Sequence, residues 1–305
     1  MLHDGVLFFP VTPFDETGAV ATDVLAKHVS DRLAHDPGGV FVACGTGEFH
    51  ALDTDEHAIA TRAAVEVVAG RVPVVAGTGG PLPLARTCAR QAQAAGADAL
   101  LLLPPYLVGG PARGVVDYVM GVADASDLPV ILYQRSQVRF DVDGLRRLAA
   151  HPRVIGLKDG TGDFDLLQRQ LLALRADLGD ALGHDFLLFN GLPTAEFTMP
   201  AYRGIGITRW SSAAFAFVPE LARAFHDAHV GGDVAREREL LSRFYAPLVV
   251  LRDRVPGYAV SLVKAGVRLR GLEVGPVRAP LAEPTAEDLA ELERLIALGL
   301  ELADG

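Results

Sequence analysis

The sequence predicts a closed (β/α)8 barrel, a TIM barrel, with a C-terminal helical appendage, and three observations predict it. Short apolar runs recur eight times along the first two-thirds of the chain. A longer segment of helical spacing follows each run. The runs are continuously apolar rather than alternating, as strands buried on both faces must be. An open, doubly wound sheet is the alternative reading of the same alternation. With 305 residues, 50% of them hydrophobic, and a mean hydropathy of +0.26, the chain can bury one large core.

In chain order the runs are Val6 to Pro10, Val40 to Ala43, Val72 to Ala76, Ala99 to Leu103, Val130 to Tyr133, Val154 to Leu157, Phe186 to Phe189 and Gly204 to Ile207. Between them, Thr22-Asp23 opens a helix toward His35, and Thr54-Asp55-Glu56-His57 opens one that ends at Gly70. Pro83 to Ala95 closes on Gly96, and Asp163 begins a Leu-, Gln- and Arg-rich helix that runs to Leu178. Residues 1–216 are assigned to the barrel. Residues 217–305 read as a helical extension of the same domain, with turns at Pro256-Gly257 and Gly275-Pro276 and a last helix rich in Ala, Glu and Leu.

Several classes of function are excluded at this level. A net charge of −10 and a pI near 5.3 leave no basic stripe to displace counterions from a nucleic acid. No apolar run approaches the ~18 residues that cross a bilayer. Cys44 and Cys88 are too few for a disulfide framework, and Met1-Leu2-His3-Asp4-Gly5 has no basic segment followed by an apolar stretch, so a cytoplasmic location is expected. The nine histidines show no metal-ligand spacing, with His50 and His57 seven apart. Gly77-Thr78-Gly79-Gly80 lacks the Gly-Lys-Ser/Thr of a phosphate loop and reads as a barrel loop.

Chemistry in a barrel collects at the C-terminal ends of the strands. Lys158, after Val154-Ile155-Gly156-Leu157, is one of only three lysines, with Lys27 and Lys264; the other 28 − 3 = 25 cations are arginines. A chain that so favours arginine keeps a lysine at a buried strand end where a guanidinium cannot serve. An amine in apolar surroundings loses its proton more easily and becomes a nucleophile toward carbonyls. The bland alternative is a lysine snorkelling at a strand end. Tyr133, ending the fifth run, is a proton relay or a packed core tyrosine. Gly45-Thr46-Gly47 after the second run offers amides and a hydroxyl to a carboxylate, or is a plain turn. Glu48 reads as structural, and Cys44 as a small buried residue.

Gly45-Thr46-Gly47-Glu48, then Tyr133, then Gly156-Leu157-Lys158-Asp159 resembles the dihydrodipicolinate synthase and N-acetylneuraminate lyase superfamily of lysine-dependent aldolase barrels, over essentially the whole chain. Within it, Gly160, Gly162-Asp163, Gly191-Leu192-Pro193-Thr194-Ala195-Glu196, Ser211-Ser212-Ala213, the stretch Gly257 to Gly266 and Gly275-Pro276-Val277-Arg278 are similar to the 5-dehydro-4-deoxyglucarate dehydratase branch. The chain departs from the synthase pattern, with Gly45 at a threonine position and Leu107, after Tyr106, at a tyrosine position, which removes two of three relay hydroxyls. It departs from the dehydratase branch at Gln134, usually asparagine, and Trp210, often tyrosine. The resemblance implies a Schiff base on Lys158 with Tyr133 shuttling protons. It also implies Thr46 and the Gly47 amide at the carboxylate beside the imine, and Arg135, Ser211 and Ser212 at the distal end of a small sugar diacid. The alternative for Arg135 is an ion pair with a surface acid. No organic cofactor and no metal are implied, since the lysine is itself the electron sink. A homo-oligomer, tetramer or dimer, is implied by the resemblance alone. Two rivals are a 2-oxo sugar acid aldolase or dihydrodipicolinate synthase-like enzyme on the same site, and a sugar-acid-binding barrel without turnover.

Overall fold

The computed structural model describes residues 2–105 and 109–305. Eight strands close in sequence order: β1 Leu7–Phe8, β2 Gly39–Val42, β3 Val74–Thr78, β4 Ala99–Leu102, β5 Val130–Arg135, β6 Val154–Gly160, β7 Leu187–Asn190 and β8 Arg209–Ser212. Each pairs in parallel with the next, and β1 pairs with β8, so no sheet edge remains. The outer ring is α1 Thr22–Leu33, α2 Thr54–Val68, α3 Leu82–Ala95, α4 Ala112–Ala123, α5 Val142–Ala149, α6 Phe164–Leu178, α7 Met199–Gly204 and α8 Pro219–Gly231. The 216/217 boundary therefore falls in the link between β8 and α8.

Helix ends follow the local chemistry. The Asp53 carboxylate accepts from the amides of Asp55 and Glu56 while Glu56 reaches back to the Asp53 amide, a reciprocal cap on α2. Asp163 caps α6 through the Leu166 amide, and α3 stops at Gly96, whose φ of +87° ends the helix. Alternation sorts the strand side chains into two cores. Phe9, Phe41, Leu101, Ile131 and Phe189 fill the barrel interior, whereas Val40, Val42, Leu100, Leu132 and Leu157 face the helices.

One strand lies elsewhere than the sequence places it. Gly204–Ile207 is not β8: α7 ends at Gly204, and Gly206 at φ +89° turns the chain before the strand starts at Arg209. β8 buries Trp210 and Ser212 on one side and turns Arg209 and Ser211 to the other. Half its side chains are polar and inward, so it gives no apolar run. β5 and β6 are longer than their apolar stretches and carry Tyr133-Gln134-Arg135 and Lys158-Asp159-Gly160 within the strands.

After α8 the chain forms α9 Val234–Leu240, a π-helical segment at Leu241–Tyr245 and α10 Ala246–Arg252, then α11 Tyr258–Leu269 and α12 Ala286–Asp304. α12 packs on α8, α10 and α11. The segment between α11 and α12 is irregular and returns to the barrel, where the Phe14 amide donates to the Val274 carbonyl at 3.1 Å. Among the described residues no helix is long and apolar enough to cross a membrane.

Candidate active site

A cavity of ≈ 490 Å³ opens at the C-terminal ends of the strands. Its wall includes Thr46, Tyr133, Arg135, Lys158 and Ser211, five of the seven residues singled out in the sequence.

Lys158 owes its direction to an irregularity in β6. Pairing with β5 shifts register between Val130 and Ile131, so that Val130 faces Val154 but Ile131 faces Gly156. Ile155 is the extra residue, and the alternation restarts after it. As a result Ile155 packs in the interior while Leu157, two residues on, faces the helices. Lys158 then points into the barrel, level with Tyr133 on β5 and Phe189 on β7. Gly156 permits the close approach: a Cβ there would lie 2.7 Å from the Leu187 carbonyl oxygen.

Around the amine the environment is apolar. Lys158 is 6% exposed, and its Nζ lies 4.3 Å from the Phe9 ring centre and 4.4 Å from that of Tyr133. Among the described residues it has no carboxylate within ion-pair distance. Burial lowers its pKa from 10.5 to about 7, and the Arg135 guanidinium adds to the fall. Ring faces favour the cation in part, but not enough to offset the loss of water. Burial pushes the Cys44 thiol up to about 12, so it stays a protonated core residue.

Asp159, next along, points outward and anchors the strand. Its carboxylate accepts from Gln134 Nε2 at 2.9 Å, Thr161 Oγ1 at 2.7 Å, the Gly162 amide at 3.2 Å and the Tyr202 hydroxyl. Gln170 extends this network to Gln134 at 3.0 Å. Gln134, one of the departures from the dehydratase branch, thus sits behind the barrel wall and not in the cavity.

Tyr133 donates its hydroxyl to the Gly191 carbonyl at 2.8 Å. Burial raises its pKa, with the Arg135 guanidinium opposing, so the phenol is protonated at neutral pH. Gly191 is also where the chain passes closest to the lysine: a Cβ there would overlap the Lys158 side-chain carbons. In the sequence Gly191 stood out only as part of a family-like motif and Phe9 only as part of the first apolar run; neither was given a role at the site. Phe9 was legible as the inward residue at the end of the first apolar run; the tightness at Gly191 leaves no local signal.

The remaining residues divide. Thr46 lines the cavity, whereas Gly47 packs beside Ala43 and its carbonyl accepts the Thr12 hydroxyl at 2.7 Å. Arg135 is exposed at the mouth, with no carboxylate partner among the described residues, so the surface ion pair considered for it is not formed. Ser211 lines the wall and its hydroxyl reaches the Asn190 carbonyl at 3.3 Å. Ser212 faces the other way, fully buried, donating to Glu196 and accepting from the Phe215 amide at 3.1 Å. Trp210 packs among Phe225, His226 and His229 outside the barrel, so its departure from the branch pattern does not touch the cavity. Tyr106 and Leu107 lie outside the described residues.

A model of the dihydrodipicolinate synthetase family matches residues 2–298. The chain belongs to the dihydrodipicolinate synthetase family. It is 53% identical to a probable 5-dehydro-4-deoxyglucarate dehydratase 2 of Streptomyces avermitilis, over 98% of this chain and 88% of the relative. A probable 5-dehydro-4-deoxyglucarate dehydratase of Streptomyces griseus is 52% identical over 98% of this chain and 92% of its own length. One from Cereibacter sphaeroides is 43% identical over 97% and 95%. Among solved structures, dihydrodipicolinate synthase from Bacillus anthracis superposes with a TM-score of 0.85 at 25% identity, covering 97% of this chain and 99% of the other. The Aquifex aeolicus synthase gives 0.84 at 26% identity over 96% and 97%. For this member of the dihydrodipicolinate synthetase family, the site combines a neutralisable amine, a neighbouring phenol and the polar side chains of Thr46, Arg135 and Ser211 in the wall of one cavity. That is the equipment for condensing with a ketone and moving protons around it.

Proposed function

We propose that this protein dehydrates and decarboxylates 5-dehydro-4-deoxyglucarate to 2,5-dioxopentanoate through a Schiff base on Lys158. One observation carries the reading: a buried lysine that has no carboxylate partner among the described residues, its Nζ 4.4 Å from the centre of the Tyr133 ring, at the C-terminal end of the barrel strands. The chain is also 53% and 52% identical to relatives named as probable dehydratases for this compound.

The steps balance without an added electron carrier. The free amine attacks the ketone beside one carboxylate, and loss of water gives an iminium. The iminium acidifies the neighbouring deoxy carbon, whose proton leaves to form an enamine. Expulsion of the β-hydroxyl as water yields a conjugated iminium. The bond to the distal carboxylate then breaks, CO2 departs, and its electron pair enters the conjugated system as a dienamine. Two carbon protonations, one of them converting an enol to the aldehyde, and hydrolysis with one water release the product and restore the amine. One water and one CO2 leave overall. Tyr133 carries protons at the imine steps. The Thr46 hydroxyl and the amides of its turn bind the carboxylate next to the imine, and Arg135 with Ser211 binds the distal one. Ser212 is committed to Glu196 and drops out of that role. A homotetramer, implied by the family likeness, is read by light scattering.

The deciding experiment is intact-mass and peptide mapping after borohydride reduction with the diacid and, separately, with pyruvate, alongside CO2 release without borohydride. A substrate-dependent adduct on Lys158 with CO2 evolved is the expected result, lost in Lys158→Ala. An adduct with pyruvate only, or pyruvate as product, assigns the site to an aldolase; no adduct with either compound leaves a binding barrel.

A further inference from the structure

The C-terminal helices reach the carboxylate-binding turn through one buried ion pair. Lys264 on α11 donates to Glu48 Oε1 at 2.7 Å, and both side chains have no exposed surface. The other carboxylate oxygen accepts the Arg278 amide at 2.8 Å. Both Glu48 oxygens are thus held by residues from the end of the chain. Glu48 itself sits at φ +57°, a left-handed conformation that a non-glycine residue keeps only where its surroundings enforce it. The Phe14 ring lies against both cations, its centre 4.0 Å from Lys264 Nζ and 3.9 Å from the Arg278 guanidinium carbon. Arg278 continues to the Ala51 carbonyl at 2.6 Å and to Glu56 on α2. On the opposite side the Gly47 carbonyl is fixed by Thr12 at 2.7 Å.

Thr46 stands next to these anchored residues and is the member of the trio 46–48 that lines the cavity. Lys264 does not line it, and its amine is occupied by Glu48, so it is not a second nucleophile. A buried carboxylate–ammonium pair is a poor device for stability alone, because an apolar pair of the same volume does as well; it is a good device for fixing one geometry. We propose that Lys264 and Glu48 are positioning residues, whose ion pair sets the place of Thr46 and its turn and so makes the helical extension part of substrate recognition. This rests on the reading of the turn as the subsite for the carboxylate beside the imine.

The test compares Lys264→Met and Glu48→Gln with Asp288→Asn, which disrupts the contacts that Asp288 on α12 accepts from Arg254 and Tyr258, away from the turn. In Lys264→Met the KM for the diacid and the half-saturating pyruvate concentration for borohydride trapping rise about tenfold, while kcat changes by less than about threefold. Hydrogen exchange of the peptide spanning 44–49 speeds up by about tenfold with β6 unchanged. Glu48→Gln, whose one carbonyl oxygen can accept from only one of the two donors while its amide nitrogen faces the other, shows the same pattern. Asp288→Asn lowers the melting temperature and leaves KM alone. KM and exchange at 44–49 unchanged in folded Lys264→Met, or kcat falling with the melting temperature while KM holds, overturns the proposal. Should Lys264→Met not fold, Glu48→Gln decides by the same readouts. If the wild-type protein binds neither compound, the reading of the site fails, and exchange at 44–49 still decides whether the ion pair holds the turn.

Discussion

Two buried lysines of one chain meet opposite surroundings. Lys264 has a carboxylate at 2.7 Å, which counters the effect of burial and leaves its pKa at about 8. Lys158 has aromatic rings in place of an anion, and burial takes it to about 7. Only the free amine attacks a ketone, so deprotonation on raising the pH switches Lys158 on. The rate of borohydride trapping is expected to rise about tenfold per pH unit below neutrality and to level off above about pH 7. A rise centred near the ordinary lysine value instead contradicts the buried-amine argument. Tyr133→Phe keeps the ring against Lys158 but removes the hydroxyl bonded to Gly191. Its expected effect is a fall in kcat of about 10²-fold with the Lys158 adduct still formed slowly. At this scale the sequence was informative where a residue was rare: a lysine among arginines stands out. It could not separate Ser211 from Ser212, because that depends on which of two adjacent side chains faces inward, and β8 was placed too early.

Strands that are apolar on both faces were legible, and β8 was not, since Arg209 and Ser211 occupy its inner side. Helix termini were legible at Asp163 and Gly96, where a cap supplies the reason, while the capped starts of α5 at Asp141 and α9 at Asp233 were not read. The extra residue in β6 left no trace in composition, because a bulge alters pairing and not residue type. Yet it decides which of Leu157 and Lys158 enters the barrel. Gly156 is its weak point. In Gly156→Ala the new methyl meets the Leu187 carbonyl oxygen at 2.7 Å and the Leu187 Cβ at 2.9 Å. A loss of about 1–3 kcal/mol in urea unfolding is expected, together with slower trapping at Lys158. Unchanged stability with wild-type trapping contradicts the packing argument.

Across the whole molecule, the long-range polar contacts were the least legible, since nothing local marks partners hundreds of positions apart. Glu196, 16 positions from its partner, was no more legible: it is fully buried, Oε1 accepts from Ser212, and Oε2 has no protein partner among the described residues. Burial raises its pKa from 4.5 to about 7. Between those values the folded protein keeps a proton that the unfolded chain has released, so its contribution to stability falls as pH rises through this window, by up to about 3 kcal/mol. Urea unfolding at about pH 5 and pH 7 should show that decline, and Glu196→Gln should flatten it; an equal slope in the variant contradicts the assignment. The Glu48–Lys264 pair has a further consequence in the order of synthesis. Its partners are 216 positions apart. A chain growing from its N-terminus has made all eight strands before α11 exists, so Lys158 is synthesised while the turn at Thr46 still lacks its Lys264 anchor. On the proposed reading of that turn as a carboxylate subsite, its grip is completed only as the last helices dock.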